Sequence, residues 1–154
     1  MVAEELREDL IVIDLDAKSS ADVFKVLGQK MTDLGFTKDS YVDALIEREK
    51  EFPTGLDIGD FGIAIPHTAA EHVNEAITAI ATLKNPVDWI QLGTEDDHVD
   101  VNVVFLLAVK DPNAHLEYLQ TIVGIFQKKE VMQAILKEKD PKKIIELIGQ
   151  AERN

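Results

Sequence analysis

Apolar residues along the 154-residue chain occur in two kinds of spacing. Short dense runs predict strands: Leu10-Ile11-Val12-Ile13-Asp14-Leu15, Gly62-Ile63-Ala64-Ile65 and, most clearly, Val99 to Val109. That last run, VDVNVVFLLAV, is β-branched and nearly all apolar. Such a run implies burial on both faces, as in a central strand of a sheet covered by helices. Ile77 to Leu83 reads as a further strand, with an Ala-rich helix as the alternative, and Pro86 to Ile90 as a short edge strand.

Recurrence every three or four residues predicts helices. Ser19-Ser20 offers an N-cap, with Asp22 in the first turn. Val23, Val26, Leu27, Met31 and Leu34 follow at helical spacing, and Gly35 stops the run. A second helix starts near Asp39, carries Tyr41, Val42, Leu45 and Ile46, and ends before Pro53. Asp111-Pro112-Asn113 caps a long helix whose apolar stripe is Leu116, Leu119, Ile122, Val123 and Phe126. Two shorter helices close the chain, about 129–137 and 141–149. The last has Asp140 as cap and Pro141 at its first position. The glycines of Thr54-Gly55-Leu56-Asp57-Ile58-Gly59 read as turn residues. No repeat, low-complexity segment or linker interrupts the chain. The expectation is one α/β domain over residues 1–154, a sandwich with a mixed central sheet and helices on both faces.

Charge narrows the possible partners. With 29 acids against 16 bases the net charge is −13, a field that repels phosphate backbones and anionic lipid. Nucleic acid and membrane surfaces are therefore not expected as direct partners. No run approaches the roughly 20 apolar residues of a membrane helix. The acidic start, Met1-Val2-Ala3-Glu4-Glu5-Leu6, lacks the pattern of a secretory leader, so the cytoplasm is the expected location. With no cysteine, thiol nucleophiles and Cys-bound metals are excluded.

Four histidines carry the candidate chemistry: His67, His72, His98 and His115. His98 sits in the polar turn Glu95-Asp96-Asp97-His98 and reads as solvated. His72 lies five residues after His67, off the i, i+4 spacing of a helical zinc pair. A metal module built on His67 and His72 is the weakest reading, and no metal or cofactor is expected. His67 and His115 each follow a predicted strand closely, where α/β folds gather reacting groups. Pro66 either aims His67, by fixing one backbone dihedral, or simply marks the end of the strand. The chain has no GxSxG elbow, no Walker loop and no GxGxxG. A histidine would then act on a group delivered by a partner. A phosphoryl group is the natural candidate, because a neutral imidazole attacks phosphorus and the product can pass the group on.

The segment EREKEFPTGLDIGDFGIAIPHT, residues 47–68, resembles the active-site segment of enzyme IIA of the bacterial sugar phosphotransferase system, in the fructose/mannitol superfamily. FPTGL, AIPHT and VDVNVVFLLAVKDPNAHLEYLQTIVGIFQ look most like the galactitol type. The resemblance implies that His67 accepts a phosphoryl group from the phosphocarrier HPr and passes it to a cysteine of enzyme IIB. It implies that His115 is the second active-site histidine, which supports the phosphohistidine, and that Arg48 balances phosphate charge. Flanked by Glu47 and Glu49, Arg48 reads equally as part of a solvated helix face. The transferred group must stay within a partner's reach. The expected surface is therefore a shallow depression, with Phe52, Leu56, Ile58 and Phe61 as its rim or as core. The alternative function is a regulatory or sensor domain of the same fold, whose phosphorylation state a transporter or transcription regulator reads.

Overall fold

The computed structural model describes residues 2–153. Five strands form one mixed sheet: β1 (Ile11–Leu15), β2 (Gly55–Asp57), β3 (Gly62–Ala64), β4 (Ile77–Ile90) and β5 (His98–Ala108). Their order across the sheet is β1-β4-β5-β3-β2, which makes β5 the middle strand, as its composition predicts. β5 runs antiparallel to β4 and parallel to β3. From Val103 onward its side chains alternate between two cores. Val104, Leu106 and Ala108 join one, and Val103, Phe105 and Leu107 the other.

The first core is closed by α1 (Ser20–Val23), a π-helical turn (Phe24–Gly28), α2 (Gln29–Asp33) and α3 (Tyr41–Glu51). The Ser19 hydroxyl accepts the Asp22 N–H, and Gly35 at φ 87° ends the run. The π-helical turn shifts the register. Phe24 is fully buried, while Val26 and Leu34 of the expected stripe are exposed. The second core is closed by α4 (Pro112–Phe126), α5 (Lys129–Lys137) and α6 (Pro141–Arg153). The Asp111 carboxylate accepts the Asn113 N–H, and Asp140 accepts that of Lys142, so both expected caps form. In α4, Ile122, Ile125 and Phe126 are buried, but Leu116 is 63% exposed and Val123 also faces out. The expected stripe therefore mixes a core face with an open one.

Two expectations are corrected. Ile77–Leu83 and Pro86–Ile90 are halves of one strand, β4, with a register shift between Thr82 and Val87. Exposed Lys84, Asn85 and Pro86 occupy that irregularity, which is where a proline without an N–H is tolerated. The glycine-rich segment is not all turn. Gly59 has φ 106°, but Gly55 lies in β2; Gly62 opens β3, as the apolar run predicts. A Cβ on Gly62 would stand 2.2 Å from the Asp100 carbonyl oxygen, and one on Gly55 would stand 2.7 Å from that of Ile90. Backbone contact, rather than turn geometry, demands glycine at these two places.

Candidate active site

Because β3 and β5 are parallel neighbours, their carboxyl ends lie at the same end of the sheet. His67 follows β3 by three residues, and His115 stands in the first turn of α4, just beyond β5. The two rings meet there, with centroids 5.0 Å apart and planes at 51°. Both are half-buried.

The backbone before His67 is held from two sides. The Ile65 N–H donates to the Thr54 carbonyl at 3.2 Å, and the Leu107 N–H donates to the Pro66 carbonyl at 3.0 Å. Fully buried Tyr41 donates its hydroxyl to the Leu107 carbonyl at 2.9 Å. The His67 ring reaches back so that Nδ1 stands 3.0 Å from the Ile65 carbonyl oxygen. A carbonyl only accepts, so Nδ1 carries the hydrogen. In the neutral ring Nε2 is then a bare lone pair.

Burial pushes the His67 pKa below the usual imidazole value. The Ile65 bond opposes this, and the positive charge of Arg48 adds to the lowering. His115 is lowered by burial and then by His67. Both rings are therefore neutral at pH 7. His115 Nε2 is buried and makes no hydrogen bond among the described residues, leaving one polar position of that ring unspent. Beside His115 opens a recess of about 130 Å³, lined among others by Thr78, Leu107, Lys110 and Tyr118; His67 lies outside it.

Arg48 lies in the last turns of α3, partly buried, with its guanidinium carbon 4.8 Å from the centre of the Phe52 ring. Of the expected rim, only Phe52 is an open apolar surface, at 57% exposure. Leu56, Ile58 and Phe61 are partly buried and pack on the second core. The other two histidines stand elsewhere. His72 shares a hydrogen bond with Ser40 through Nδ1 at 2.8 Å, and His98 sits 2.8 Å from Asp88. No group of three metal-ligating side chains occurs among the described residues.

Sequence reasoning missed the support behind Thr54. Glu49 is not solvated like Glu47. Its carboxylate accepts the Thr54 N–H and O–H and the Trp89 indole N–H. A carboxylate inside a charged helical run gives no sequence signal of burial. The hint available was an indole in a strand, which needs an acceptor when buried.

This is the fold of phosphotransferases that carry phosphate on a histidine. More narrowly, the chain belongs to the family described as "Phosphoenolpyruvate-dependent sugar phosphotransferase system, EIIA 2", whose profile matches residues 4–151. It is 31% identical over 116 residues to the galactitol-specific EIIA component of Escherichia coli K12, covering 75% of this chain and 77% of that protein. It is 32% identical over 120 residues to the probable licABCH operon regulator of Bacillus subtilis, covering 77% of this chain and 17% of that longer protein. Among solved structures, the Escherichia coli complex of enzyme IIA for mannitol with phosphorylated enzyme IIB is similar in fold. Its TM-score is 0.78 at 20% identity, covering 94% of this chain and 97% of that one. No helix among the described residues is long and apolar enough to cross a membrane.

Proposed function

We propose that residues 1–154 are a single EIIA domain acting as a cytoplasmic phosphoryl carrier. His67 accepts the group from phospho-HPr and passes it to a cysteine of enzyme IIB, for uptake of a galactitol-type carbohydrate. One observation carries this reading: His67 Nδ1 is bonded to the Ile65 carbonyl, which leaves a neutral ring with its lone pair on Nε2.

In the reaction, the Nε2 lone pair forms a bond to phosphorus as the bond from phosphorus to the donor breaks. The transferring group is held roughly in line between the two. No proton leaves His67. The ring becomes a phosphoimidazolium whose positive charge is shared with the Nδ1–H, and the hydrogen bond to Ile65 strengthens as that charge develops. Attack by the thiolate of enzyme IIB reverses the charge change and restores the neutral ring.

The phosphoryl group brings close to two negative charges to a chain already at −13. Arg48 supplies an opposing charge that does not titrate away, and His115 supplies a ring N–H donor. Exposed Phe52 and Leu116 offer apolar contact for the docking proteins.

The similarity to the licABCH operon regulator supports a second reading, a regulatory domain of the same fold. Neighbouring genes for enzymes IIB and IIC favour transport, and a neighbouring regulator gene favours the second. The direct test is intact-mass spectrometry at neutral to alkaline pH after incubation with phosphoenolpyruvate, enzyme I and HPr. One added phosphoryl group on the wild type and none on folded His67→Ala is the expected result. A phosphorylated His67→Ala variant would sink the assignment.

A further inference from the structure

We infer that Glu49 is a positioning residue for His67, acting through the backbone of Thr54 and Ile65. This rests on the phosphoryl-carrier reading above. Glu49 stands two residues from solvated Glu47, which pairs with Lys50, yet its own environment is different. The Thr54 N–H reaches Oε1 at 2.9 Å. The Thr54 hydroxyl lies 2.8 and 2.9 Å from the two carboxylate oxygens, and the Trp89 indole N–H donates to Oε1. Thr54 and Trp89 are both buried. Enclosing a carboxylate is costly, and these donors are what keep it there. The same bonds fix Thr54 against the end of α3.

From Thr54 the connection runs in two steps. Its carbonyl takes the Ile65 N–H at 3.2 Å, and the Ile65 carbonyl takes the His67 Nδ1–H at 3.0 Å. The second bond sets which ring nitrogen is bare. The segment needs such support because Pro66, between Ile65 and His67, has no N–H to tie it to a neighbour. Tyr41 and Leu107 hold Pro66 from one side; Glu49 and Thr54 hold Ile65 from the other. Leu at position 49 would delete the acceptor of the Thr54 and Trp89 donors, and Val at position 54 would delete the hydroxyl while keeping the side chain's shape.

Two readouts on the full chain test the inference: the His67 tautomer, from ring ¹⁵N shifts in the unphosphorylated protein, and the rate of phosphorylation by phospho-HPr. Glu49→Leu and Thr54→Val are each expected to shift His67 away from the Nδ1–H form. Each should also slow acceptance by roughly 10- to 100-fold, the scale of a small misplacement of a reacting atom. Thr54→Ser, which retains the hydroxyl, should restore both. If Glu49→Leu does not fold, Thr54→Val against Thr54→Ser decides alone. A folded variant with an unchanged tautomer or an unchanged rate overturns the inference. If the wild type takes no phosphoryl group, the carrier reading fails, and the tautomer comparison still supports or overturns the coupling from Glu49 to His67.

Discussion

The two ends of the central strand carry histidines in opposite surroundings. His98 opens β5 in solvent, with Nδ1 2.8 Å from Asp88 and Nε2 3.4 Å from Asp96. The hydrogen bond to Asp88 is the main cause that raises its pKa above the ordinary value. Beyond the other end, His115 and His67 lie against each other, half-buried, and neither forms an ion pair with a carboxylate among the described residues. Burial lowers both. The same side chain is thus a carboxylate-bound surface group with a raised pKa at one end and a nucleophile candidate with a lowered pKa at the other. Carboxylates around His98 would repel an incoming phosphoryl group; at the far end the charge that acts on His67 is the cation Arg48.

Substitutions at the two ends should therefore differ sharply. His67→Ala should abolish phosphoryl acceptance outright in the mass assay. His115→Ala should slow acceptance by roughly 10- to 100-fold, the kinetic equivalent of losing a hydrogen bond to a charged group, ~1.5–3 kcal/mol. Stopped-flow transfer from phospho-HPr measures this. Arg48→Gln should cost less, about tenfold, as expected for one charge at a partly exposed position. It should also let the His67 pKa rise, since the guanidinium contributes to holding it down.

In an NMR series, His98 should protonate above about pH 6.5, and His67 and His115 below it. Asp88→Asn should bring His98 back down. The sign for stability follows from proton counting. Near pH 6.5 the unfolded chain binds protons that folded His67 and His115 refuse, so these two sites cost stability as pH drops through that region, while His98 contributes in the opposite sense. Between pH 7.5 and 5.5 the denaturant midpoint of the His67→Ala variant should change less unfavourably than that of the wild type. The smallest effect belongs to His98→Ala, which should leave the phosphoryl-transfer rate unchanged.

What the sequence made legible follows from physics that acts locally. β5 announces itself because burial on both faces demands an unbroken apolar run, and Ser19, Asp111 and Asp140 cap their helices through neighbours two or three residues away. That His67 and His115 lie at strand ends was readable. That they touch depends on β3 and β5 being parallel neighbours, a fact of topology with no local signal. β4 looked like two strands because three exposed residues fill its irregular stretch. Helical spacing could not separate Leu116 from Ile122, since a stripe wider than the buried face looks the same in sequence. Glu49 was invisible for a related reason: its burial is decided by Thr54 and Trp89, and Trp89 is 40 residues away.

In the proposed mechanism, His67 reacts through Nε2 because Nδ1 is committed to Ile65. The most direct measurement is an NMR spectrum of ¹⁵N-histidine-labelled protein after phosphorylation, read through the coupling between ring nitrogen and phosphorus. The coupling is expected at Nε2 of His67, with Nδ1 still carrying its hydrogen. Phosphorus on Nδ1, or on His115, would contradict that mechanism.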